Sequence, residues 1–438
     1  MASQNEGTSP SKKKVQNAWA LYDWANSVYS LVITTTIFPI FYNALTTERD
    51  ADGELINDVV SFWGVDIVNT QLYSYVLATS FLLIILLSPL LSGMADYAGK
   101  KLTFMKVFCY AGAAGCASMF WFNPDHLEWS MGSLFLANIG FWGSLGFYNA
   151  YLPEIAPKEE HDRLGARGYV MGYIGSVLLL LICLGLILGI GNHLTKWAFV
   201  LVAIWWVSWA QPAFRRLPTR SQEHRPSGNL LAQGFKELRM VAGELKGQRH
   251  LTRYLTSFFI MSMAVQTIML MATSFGIKEV QLTSSELIVA TLLVQFVAIP
   301  GAFLVAWVSG QIGNVKTLGC CILAWCAVCV YAYFFATTKG GFYIAAGVIG
   351  FMMGGTQSLN RTTYSKLLPT TQDNASYFSF YEVLEKGGLV IGMFGWGYIE
   401  GATGSMRNSI LALVGLFLLA FIALSRMPRS HRGHLVTD

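Results

Sequence analysis

Ionisable side chains stand inside segments of this chain that are otherwise apolar enough to cross a membrane. Asp23 lies near the start of the first such segment, Arg361 near the end of the tenth, and Glu382 near the start of the eleventh, with Lys386 one helical turn further on. An isolated charge costs about 2.5–3.5 kcal/mol at the bilayer centre, so such residues usually pair with one another. We therefore expect Asp23 and Glu382 to pair with Arg361 or Lys386.

The chemistry open to such a set is the reversible making and breaking of ion pairs. Asp23, Arg361 and Glu382 are predicted to lie at similar depth, about one turn inside the membrane. Our hypothesis is a gate whose pairs form when one mouth of a pathway closes and hydrate when it opens. Two alternatives stay open: a permanent structural ion pair, and a role for Asp23 or Glu382 as a proton-coupling acid, which desolvation would favour.

Neutral polar side chains follow single faces of the first, fourth, seventh and tenth segments at spacings of three and four residues. A polar stripe in a membrane faces protein or water, so these four segments are predicted to line a central cavity. The third, sixth, ninth and twelfth are more apolar and are expected outside. The alternative is that the stripes only join helices through hydrogen bonds. The candidate solute-binding residues are Asn26, Ser30, Thr34, Asn138, Trp142, Gln266 and Gln357.

The elements that must position these residues are membrane helices. Hydrophobic residues make up 54% of the 438 and charged residues only 13%, against about a quarter charged in soluble domains. Long apolar runs approach the roughly 20 residues of a spanning helix. The fold class is therefore an all-α polytopic membrane protein. We predict twelve spans: Trp19–Leu45, Gln71–Ala95, Leu102–Phe122, Ser130–Leu152, Gly168–Gly191, Trp197–Phe214, Leu251–Gly276, Leu287–Ser309, Thr317–Thr337, Phe342–Tyr364, Tyr377–Ile399 and Ser409–Leu424.

The basic residues predict an orientation. Of the 30 Lys and Arg residues, 24 lie in the N-terminus, the even-numbered connections and the C-terminus or at the adjoining span ends. Five lie in the odd-numbered connections, and Lys386 lies within a span. Because cytoplasmic loops carry the excess of Lys and Arg, both termini are expected in the cytoplasm.

The spans divide into two related halves. The chain reads as an N-terminal tail (1–18), a six-helix bundle (19–214), a cytoplasmic linker (215–250), a second six-helix bundle (251–425) and a C-terminal tail (426–438). The stretch "LLAQGFKELRMVAGELKG" in the linker is a candidate amphipathic helix. A proline is followed 19 residues later by a glycine at equivalent places in both halves, as expected for parallel duplication of a six-span unit.

Glycines spaced four apart predict close contact between helices, since small residues let backbones approach. These pairs are Gly185 and Gly189, Gly350 and Gly354, and Gly388 and Gly392.

Several motifs resemble those of a known family. "SGMADYAGKK", from Ser92 to Lys101, resembles the loop motif of the major facilitator superfamily, although Ser92 stands where its first glycine is usual. Within that superfamily, "YDWANSVYS", "NAYLPEI", "QSLNRTTYSKLLP" and "YFSFYEVLEK" are similar to the vacuole-effluxer-like family, named for a fungal autophagy-associated amino-acid effluxer. Asn360 and Ser379 depart from its usual residues. The resemblance implies the major facilitator fold, with two pseudo-symmetric six-helix bundles, and the transport of amino acids.

The resemblance also implies a role for the loop motif. Asp96 would bond to Lys100 or Lys101, or lie at the N-terminus of span eleven, where the helix dipole favours an anion. The alternative is an ordinary surface turn of charges. The second half has Gly310 where the aspartate would stand, so any such latch is expected to be stronger in the N-terminal half.

The expected function is a secondary active or facilitative transporter of a small polar solute, first of all amino acids, by alternating access. The alternatives are another small metabolite such as a peptide or sugar, or a non-transporting sensor or receptor on a transporter scaffold. No phosphate-binding loop favours an ATP-driven pump. We expect no enzyme activity, catalytic residue, metal or cofactor, apart from proton coupling. The expected partners are the solute and membrane lipids, not nucleic acid, and the chain is expected to be a monomer. A bacterial inner membrane is expected first, and a vacuolar membrane second.

Overall fold

The computed structural model describes residues 10–49, 55–219, 230–371 and 373–427. Within these ranges the chain forms twelve long helices that make up the two halves, here α1–α12, with a further helix in the connection between the halves and short helical turns elsewhere. The helix α1 consists of Pro10–Val28, the π-helical segment Tyr29–Ile37 and Phe38–Thr46. The other helices are α2 (Asn69–Ala98), α3 (Lys101–Ser118), α4 (Leu127–Asn149), α5 (His161–Gly189), α6 (Thr195–Arg216), α7 (Arg249–Val280), α8 (Ser284–Ile312), α9 (Asn314–Phe335), α10 (Lys339–Leu367), α11 (Asn374–Thr403) and α12 (Met406–Ser425).

Ten of these helices are long and apolar enough to cross a membrane by their own composition, and α4 and α11 are not among them. The reason for α11 is visible in its sequence, which places Glu382, Glu385 and Lys386 within two turns. In α4, 15 of 23 residues are buried, among them several serines, glycines and asparagines. Both helices complete a fold of twelve transmembrane helices because the rest of the protein, and not lipid, surrounds their polar faces.

The two halves pack in the same way. In the N-terminal half, α1 packs on α5 and α6, α2 on α4, and α3 on α4 and α6. Each of these pairs recurs six helices later: α7 packs on α11 and α12, α8 on α10, and α9 on α10 and α12. The halves meet through another related pair of contacts, α5 with α8 and α2 with α11. The fold is therefore two pseudo-symmetric six-helix bundles, as predicted.

The connection between the halves contains a helix, Leu230–Gly247, in the stretch where the sequence predicts an amphipathic one. It lies against the end of α2, where the backbones come so close that a Cβ on Gly93 would lie 2.4 Å from the carbonyl oxygen of Gly234. Val241 and Leu245 are buried, and Glu244 accepts a hydrogen bond from Tyr377 of α11. This connecting helix marks one face of the protein, which we call the tail face because α1 also begins there.

The opposite face, here called the loop face, carries strands that the sequence analysis missed. β1 (Glu48–Arg49) pairs antiparallel with β2 (Leu55–Asn57), and β3 (Val59–Phe62) pairs antiparallel with β4 (Val65–Val68). The valines of β3 and β4 suit paired strands.

The glycine pairs give a mixed result. Gly350 and Gly354 let α10 pack directly on α8, and Gly388 and Gly392 let α11 pack on α7, since a Cβ at any of them would lie within 3.1 Å of a backbone atom of the neighbouring helix. The prediction for Gly185 and Gly189 is wrong: nothing in the described chain lies within 4 Å of a Cβ at either position. Spacing alone cannot tell which face of a helix meets a neighbour.

The contact between α8 and α10 yields a stability prediction. A Cβ at Gly354 would lie 2.2 Å from the carbonyl oxygen of Ala298, whereas at Gly347, two turns earlier on α10, it would meet nothing within 4 Å. We expect Gly354→Ala to lower the free energy of unfolding by about 1–3 kcal/mol, because overpacking forces the backbones apart. Gly347→Ala is the matched control and should be neutral or slightly stabilising. Thermal unfolding of the purified variants measures both, and equal midpoints would contradict the packing argument.

Candidate functional site

The guanidinium of Arg361 is buried inside the other half of the protein. Arg361 lies on α10 of the C-terminal half and is 2% exposed. Its Nη1 and Nη2 lie 3.3 and 3.4 Å from Oδ2 of Asp23 on α1. Nη2 also donates to the carbonyl oxygen of Gly165 on α5 at 2.9 Å, and Nη1 donates to Oδ1 of Asn149 at the end of α4 at 3.3 Å. Three helices of the N-terminal half therefore supply the hydrogen-bond acceptors of this one cation.

Aromatic rings complete the surroundings of the guanidinium. Its central carbon lies 4.3, 4.9 and 5.6 Å from the ring centroids of Tyr169, Trp19 and Tyr148. All three belong to the N-terminal half, and the negative face of a ring attracts a cation most strongly where water is excluded. The hydroxyl of Tyr148 also donates to Oδ2 of Asp23 at 2.7 Å. Arg361, Asp23 and Tyr148 thus each contact the other two.

Gly168 makes room for the pair. A Cβ at this position of α5 would lie 2.5 Å from Oδ2 of Asp23 and 3.1 Å from Nη2 of Arg361. Any other residue at position 168 would push the two charged groups apart. The close approach of α5 to α1 at this glycine is therefore a requirement of the ion pair.

A second charged group lies beside the first on α11. Lys386 is paired with Glu382 one turn earlier and donates to Oε2 of Glu385 at 2.8 Å. Its ammonium also lies 4.1 Å from the ring centroid of Trp142 on α4. Asn149 joins the two groups, because its Nδ2 donates to Oε1 of Glu382 at 3.1 Å while its Oδ1 accepts from Arg361.

The structure thus shows which of the ion pairs left open by the sequence are formed. Asp23 pairs with Arg361 across the two halves, whereas Glu382 pairs with Lys386 within one helix. Sequence reasoning missed the roles of Asn149, Tyr148, Tyr169 and Glu385. Asn149 lies at the end of α4 on the same side as other polar residues, and Glu385 is adjacent to Lys386 in the sequence, so both could have been found from the sequence. The two tyrosines carried no signal that separated them from the other 17 tyrosines of the chain.

Asp96 lies at the start of α11. Its carboxylate accepts from the backbone N–H groups of Ser376 at 2.7 Å and Ala375 at 3.4 Å. This is the second of the two arrangements implied by the resemblance. Lys101 pairs with Glu154 instead, and Lys100 is exposed at the end of the loop. The contact joins the end of α2 to the first turn of α11, and therefore one half to the other.

A further inter-half contact was not predicted. Asp162, at the start of α5, accepts from Ser309 Oγ and from Asn314 Nδ2, both at 2.8 Å, and pairs with Nζ of Lys366 at 2.6 Å. Ser309, Asn314 and Lys366 belong to α8, α9 and α10 of the other half, and Asp162 is buried. The sequence predicted a stronger latch at the motif loop of the N-terminal half and did not predict this second contact. This contact could not be predicted from the motif, because its carboxylate lies on α5 and not in the loop that resembles the motif.

A cavity of about 370 Å³ lies between the halves above these contacts. Its floor includes Asp23, Arg361 and Glu382, and it extends toward the loop face as far as Ala336 and Phe342. Among the described residues, the hydrogen bonds and ion pairs found between the halves lie at its floor or on its tail side. The cavity is therefore closed toward the tail face.

Most of the predicted solute-binding residues line this cavity, and two do not. Asn26, Ser30, Trp142, Gln266 and Gln357 are among its lining residues. Helices α1, α4, α7 and α10 all contribute, as expected, while α5, α8 and α11 add more than was expected. Of the helices expected outside, α3 and α6 contribute no described lining residue, but α9 and α12 do.

The prediction is wrong for Asn138 and Thr34, which do not line the cavity. Asn138 is buried within the N-terminal half, where its Oδ1 accepts from the hydroxyl of Tyr29 at 3.2 Å and its Nδ2 donates to Ser80. It joins helices, which is the alternative interpretation of a polar stripe. The hydroxyl of Thr34 donates to the backbone carbonyl of Ser30 at 3.1 Å. The π-helical segment of α1 shifts the helical register there, so a face drawn with the α-helical period fails at Thr34.

The sequence model of the family described as "Vacuole effluxer Atg22 like" matches residues 11–434. The chain belongs to this family. An uncharacterized MFS-type transporter, YxiO, of Bacillus subtilis (strain 168) is 30% identical over 426 residues, covering 95% of each chain. Autophagy-related protein 22 of Yarrowia lipolytica is 22% identical over 457 residues, covering 82% of this chain and 77% of the relative. The Atg22-like protein is thus a membrane transporter of the major facilitator type.

Solved structures show the same fold. The transporter FucP in its outward conformation aligns with a TM-score of 0.70 at 13% identity, covering 96% of this chain and 99% of FucP. The proton:xylose symporter XylE bound to 6-bromo-6-deoxy-D-glucose aligns with a TM-score of 0.70 at 12% identity, covering 98% of each chain. At this identity the likeness concerns the fold alone. It agrees with the two six-helix bundles of this Atg22-like chain.

The ion pair between Asp23 and Arg361 yields the next prediction. Removing one partner leaves the other charge buried without compensation, which costs about 3–5 kcal/mol. We expect Asp23→Asn and Arg361→Gln each to shift the protein away from the arrangement closed at the tail face. The opening of the tail face is measured as the distance between spin labels at Thr103 and Lys316, which are exposed in the first turns of α3 and α9. The exposed Cys320 is first replaced by serine. The double variant should lose less than the sum of the two single effects.

The control is Asp66→Asn, which removes an exposed carboxylate on β4 at the loop face. It should leave the label distance unchanged. Single variants that keep the wild-type distance distribution and the wild-type thermal stability would contradict the role given to the pair.

Asp162 allows an independent test with the same labels. Asp162→Asn removes the charge that Lys366 and two neutral donors share, and hydrogen bonds to a charged group contribute about 1.5–3 kcal/mol. We expect the ratio of closed to open tail face to fall about tenfold or more. Glu159→Gln, an exposed neighbour at the same face, is the matched control. A label distance that changes equally in both variants, or in neither, would refute the latch.

Proposed function

We propose that the protein is a secondary active or facilitative transporter that moves small polar solutes, in the first place amino acids, by alternating access. The observation that supports this best is the one-sided closure of the cavity. A central cavity with its inter-half bonds on the tail side is one of the two arrangements that rocking of two repeats about a fixed site requires. The other arrangement would open the tail face and close the loop face.

The Asp23–Arg361 pair is the proposed gate. Opening the tail face must draw the guanidinium of Arg361 out of its pocket in the N-terminal half. Asp23, Asn149 and the carbonyl oxygen of Gly165 would then lose their shared donor, and water entering the open mouth would hydrate the separated groups. Because the pair compensates two charges when closed and water does so when open, the transition is reversible. Asp96 and Asp162 would release at the same step, since each also joins the two halves.

A proton-coupling role remains the second proposal for the same residues. Asp23 and Glu382 are buried carboxylates at the cavity floor, and either could carry a proton across as the cavity changes sides. This role and the gate role are compatible, because protonation of Asp23 would itself weaken the pair with Arg361. A dependence of accumulation on a pH gradient distinguishes coupled from facilitative transport.

The solute is expected to be small and to carry no net negative charge. Arg361 and Lys386, the basic residues among the described lining residues, are both buried in ion pairs, so a polyanion would find no free cation. Neutral groups such as Ser30, Asn26 and Gln357 are available instead. This lining suits an amino acid, and it would also suit a peptide or a sugar of small size.

We propose that the tail face is cytoplasmic and that the membrane is the inner membrane of a bacterium. The excess of Lys and Arg at this face supports the orientation, and similarity to a Bacillus subtilis transporter supports the location. A vacuolar membrane is the alternative, supported by the fungal relatives. The proposed partners are the solute and membrane lipids, without nucleic acid, and the proposed state is a monomer.

The test is flux in proteoliposomes. Purified protein is reconstituted with a trapped mixture of neutral amino acids, and entry of a labelled amino acid by exchange is measured against protein-free liposomes. We expect exchange that saturates with the solute concentration. Repeating the uptake with and without an imposed pH gradient shows whether protons drive accumulation.

Two outcomes would overturn the proposal. Binding of amino acids without exchange, seen as a rise in thermal stability by mass action, would favour a sensor or receptor on a transporter scaffold. Exchange of peptides or sugars, with no exchange of amino acids, would leave the transporter but replace its solute.

A further inference from the structure

The cavity carries an uncompensated negative charge. Its described lining includes the carboxylates of Asp23, Glu382 and Glu385 against the cations Arg361 and Lys386, which gives a formal charge of −1. Arg361 forms an ion pair with Asp23, and Lys386 forms ion pairs with both Glu382 and Glu385. The excess therefore resides on the Glu382–Lys386–Glu385 group, one ammonium held between two carboxylates.

Only one of the three side chains is open to the cavity. The side chains of Glu382 and Lys386 are 3% and 2% exposed, whereas that of Glu385 is 18% exposed. Each oxygen of Glu385 accepts one hydrogen bond, Oε1 from Gln266 at 2.9 Å and Oε2 from Lys386 at 2.8 Å. A carboxylate has about four acceptor positions, so Glu385 is held in place with acceptor capacity left for a solute.

Polar atoms from both halves point to a bound solute as well. Asn26 and Tyr173 line the cavity from the N-terminal half, and Trp396 lines it from the C-terminal half. All three residues are more than nine-tenths buried, and Nδ2 of Asn26, the hydroxyl of Tyr173 and Nε1 of Trp396 have no hydrogen-bond partner in the described chain. Buried polar groups are nearly always hydrogen-bonded. Unpaired donors on side chains that line a cavity suit a solute that brings acceptors, such as a carboxylate.

We propose that Glu385 binds the ammonium group of the solute and so makes an amine the required feature of what this cavity carries. The inference rests on the proposed transport function and goes beyond it by naming the recognising residue and the solute chemistry. The acceptors of the solute would face Asn26 and Tyr173, across the cavity from α11. The walls between them are mostly apolar, with Leu31, Phe81, Met269 and Met353 among them. The solute class is therefore a small monoamine with a compact apolar body, a zwitterion included, while a second negative charge is rejected.

The test compares solutes that differ by one group. Competition against uptake of labelled L-leucine is measured for 4-methylpentanoate, which lacks the amine, for 3-methylbutan-1-amine, which lacks the carboxylate, and for L-glutamate. In the wild-type protein we expect the amine to compete and the other two to compete about tenfold or more weakly, since a charge-assisted contact is lost or opposed. In Glu385→Gln we expect leucine affinity to fall about tenfold or more and its advantage over 4-methylpentanoate to disappear.

Two further variants keep the result interpretable. Glu385→Asp retains the charge on a shorter side chain and should retain the preference for amines. Glu400→Gln is the matched control, because Glu400 lies on the same helix and pairs with Lys278 near the loop face, outside the cavity. It should leave both affinity and preference unchanged. In every variant Lys386 retains its ion pair with Glu382. The thermal stability of the solute-free proteins checks that the variants fold.

The outcomes separate the two proposals. Leucine uptake with an unchanged preference for amines in Glu385→Gln would overturn the role of Glu385 and leave the transporter standing. Unchanged leucine affinity with loss of proton-driven accumulation would assign Glu385 to the proton instead. If the wild-type protein exchanges none of the amines, the proposed amino-acid transport fails, and this inference fails with it.

Discussion

The closed arrangement depends on one constraint: a buried guanidinium that belongs to one half must find its compensation in the other half. The carboxylate of Asp23, the carbonyl oxygen of Gly165 and the rings of Trp19, Tyr148 and Tyr169 all belong to the N-terminal bundle. A buried ion pair is weak evidence for stability as such, because hydrophobic residues of the same volume often do as well. What it gives here is an interaction that can be exchanged for water. Apolar side chains that closed this face with equal strength would gain nothing from the water that enters when the face opens.

Two carboxylates support this closure at pseudo-symmetric places, and both belong to the N-terminal half. In the first latch, Asp96 at the end of α2 accepts from the N–H groups that begin α11. In the second, the end of α8 has Gly310 at the equivalent position, and the acid is Asp162 at the start of α5. The pairs of helices, α2 with α11 and α8 with α5, are the ones that duplication relates. In the second latch the acid therefore lies on α5 and not on α8, although the contact between these two helices is kept. A comparison of loop motifs alone cannot detect this.

The sequence predicts most of the fold because the membrane makes local composition decisive. The polar residues of α1 and α10 could be placed at one depth, since each ion in an apolar span needs a partner, and Asp23 does meet Arg361. Other positions needed the tertiary structure. Asn138 has the spacing of a cavity residue but bonds to Tyr29 within its own half. Thr34 lies in a π-helical segment that no periodicity of 3.6 residues describes. Asp162 could not be recognised, because its partners come from three helices of the other half.

The cavity and the gate are physically continuous. Glu385, at the cavity surface, shares Lys386 with Glu382, and Glu382 shares the side chain of Asn149 with Arg361. A cation placed against Glu385 interacts with the same negative charge that holds Lys386. Any shift of Lys386 between Glu385 and Glu382 changes the strength of the hydrogen bond between Glu382 and Asn149. The amide of Asn149 contacts Glu382 and Arg361 at the same time. Glu385 at the cavity surface and Arg361 between the halves are therefore connected through three side chains, those of Lys386, Glu382 and Asn149.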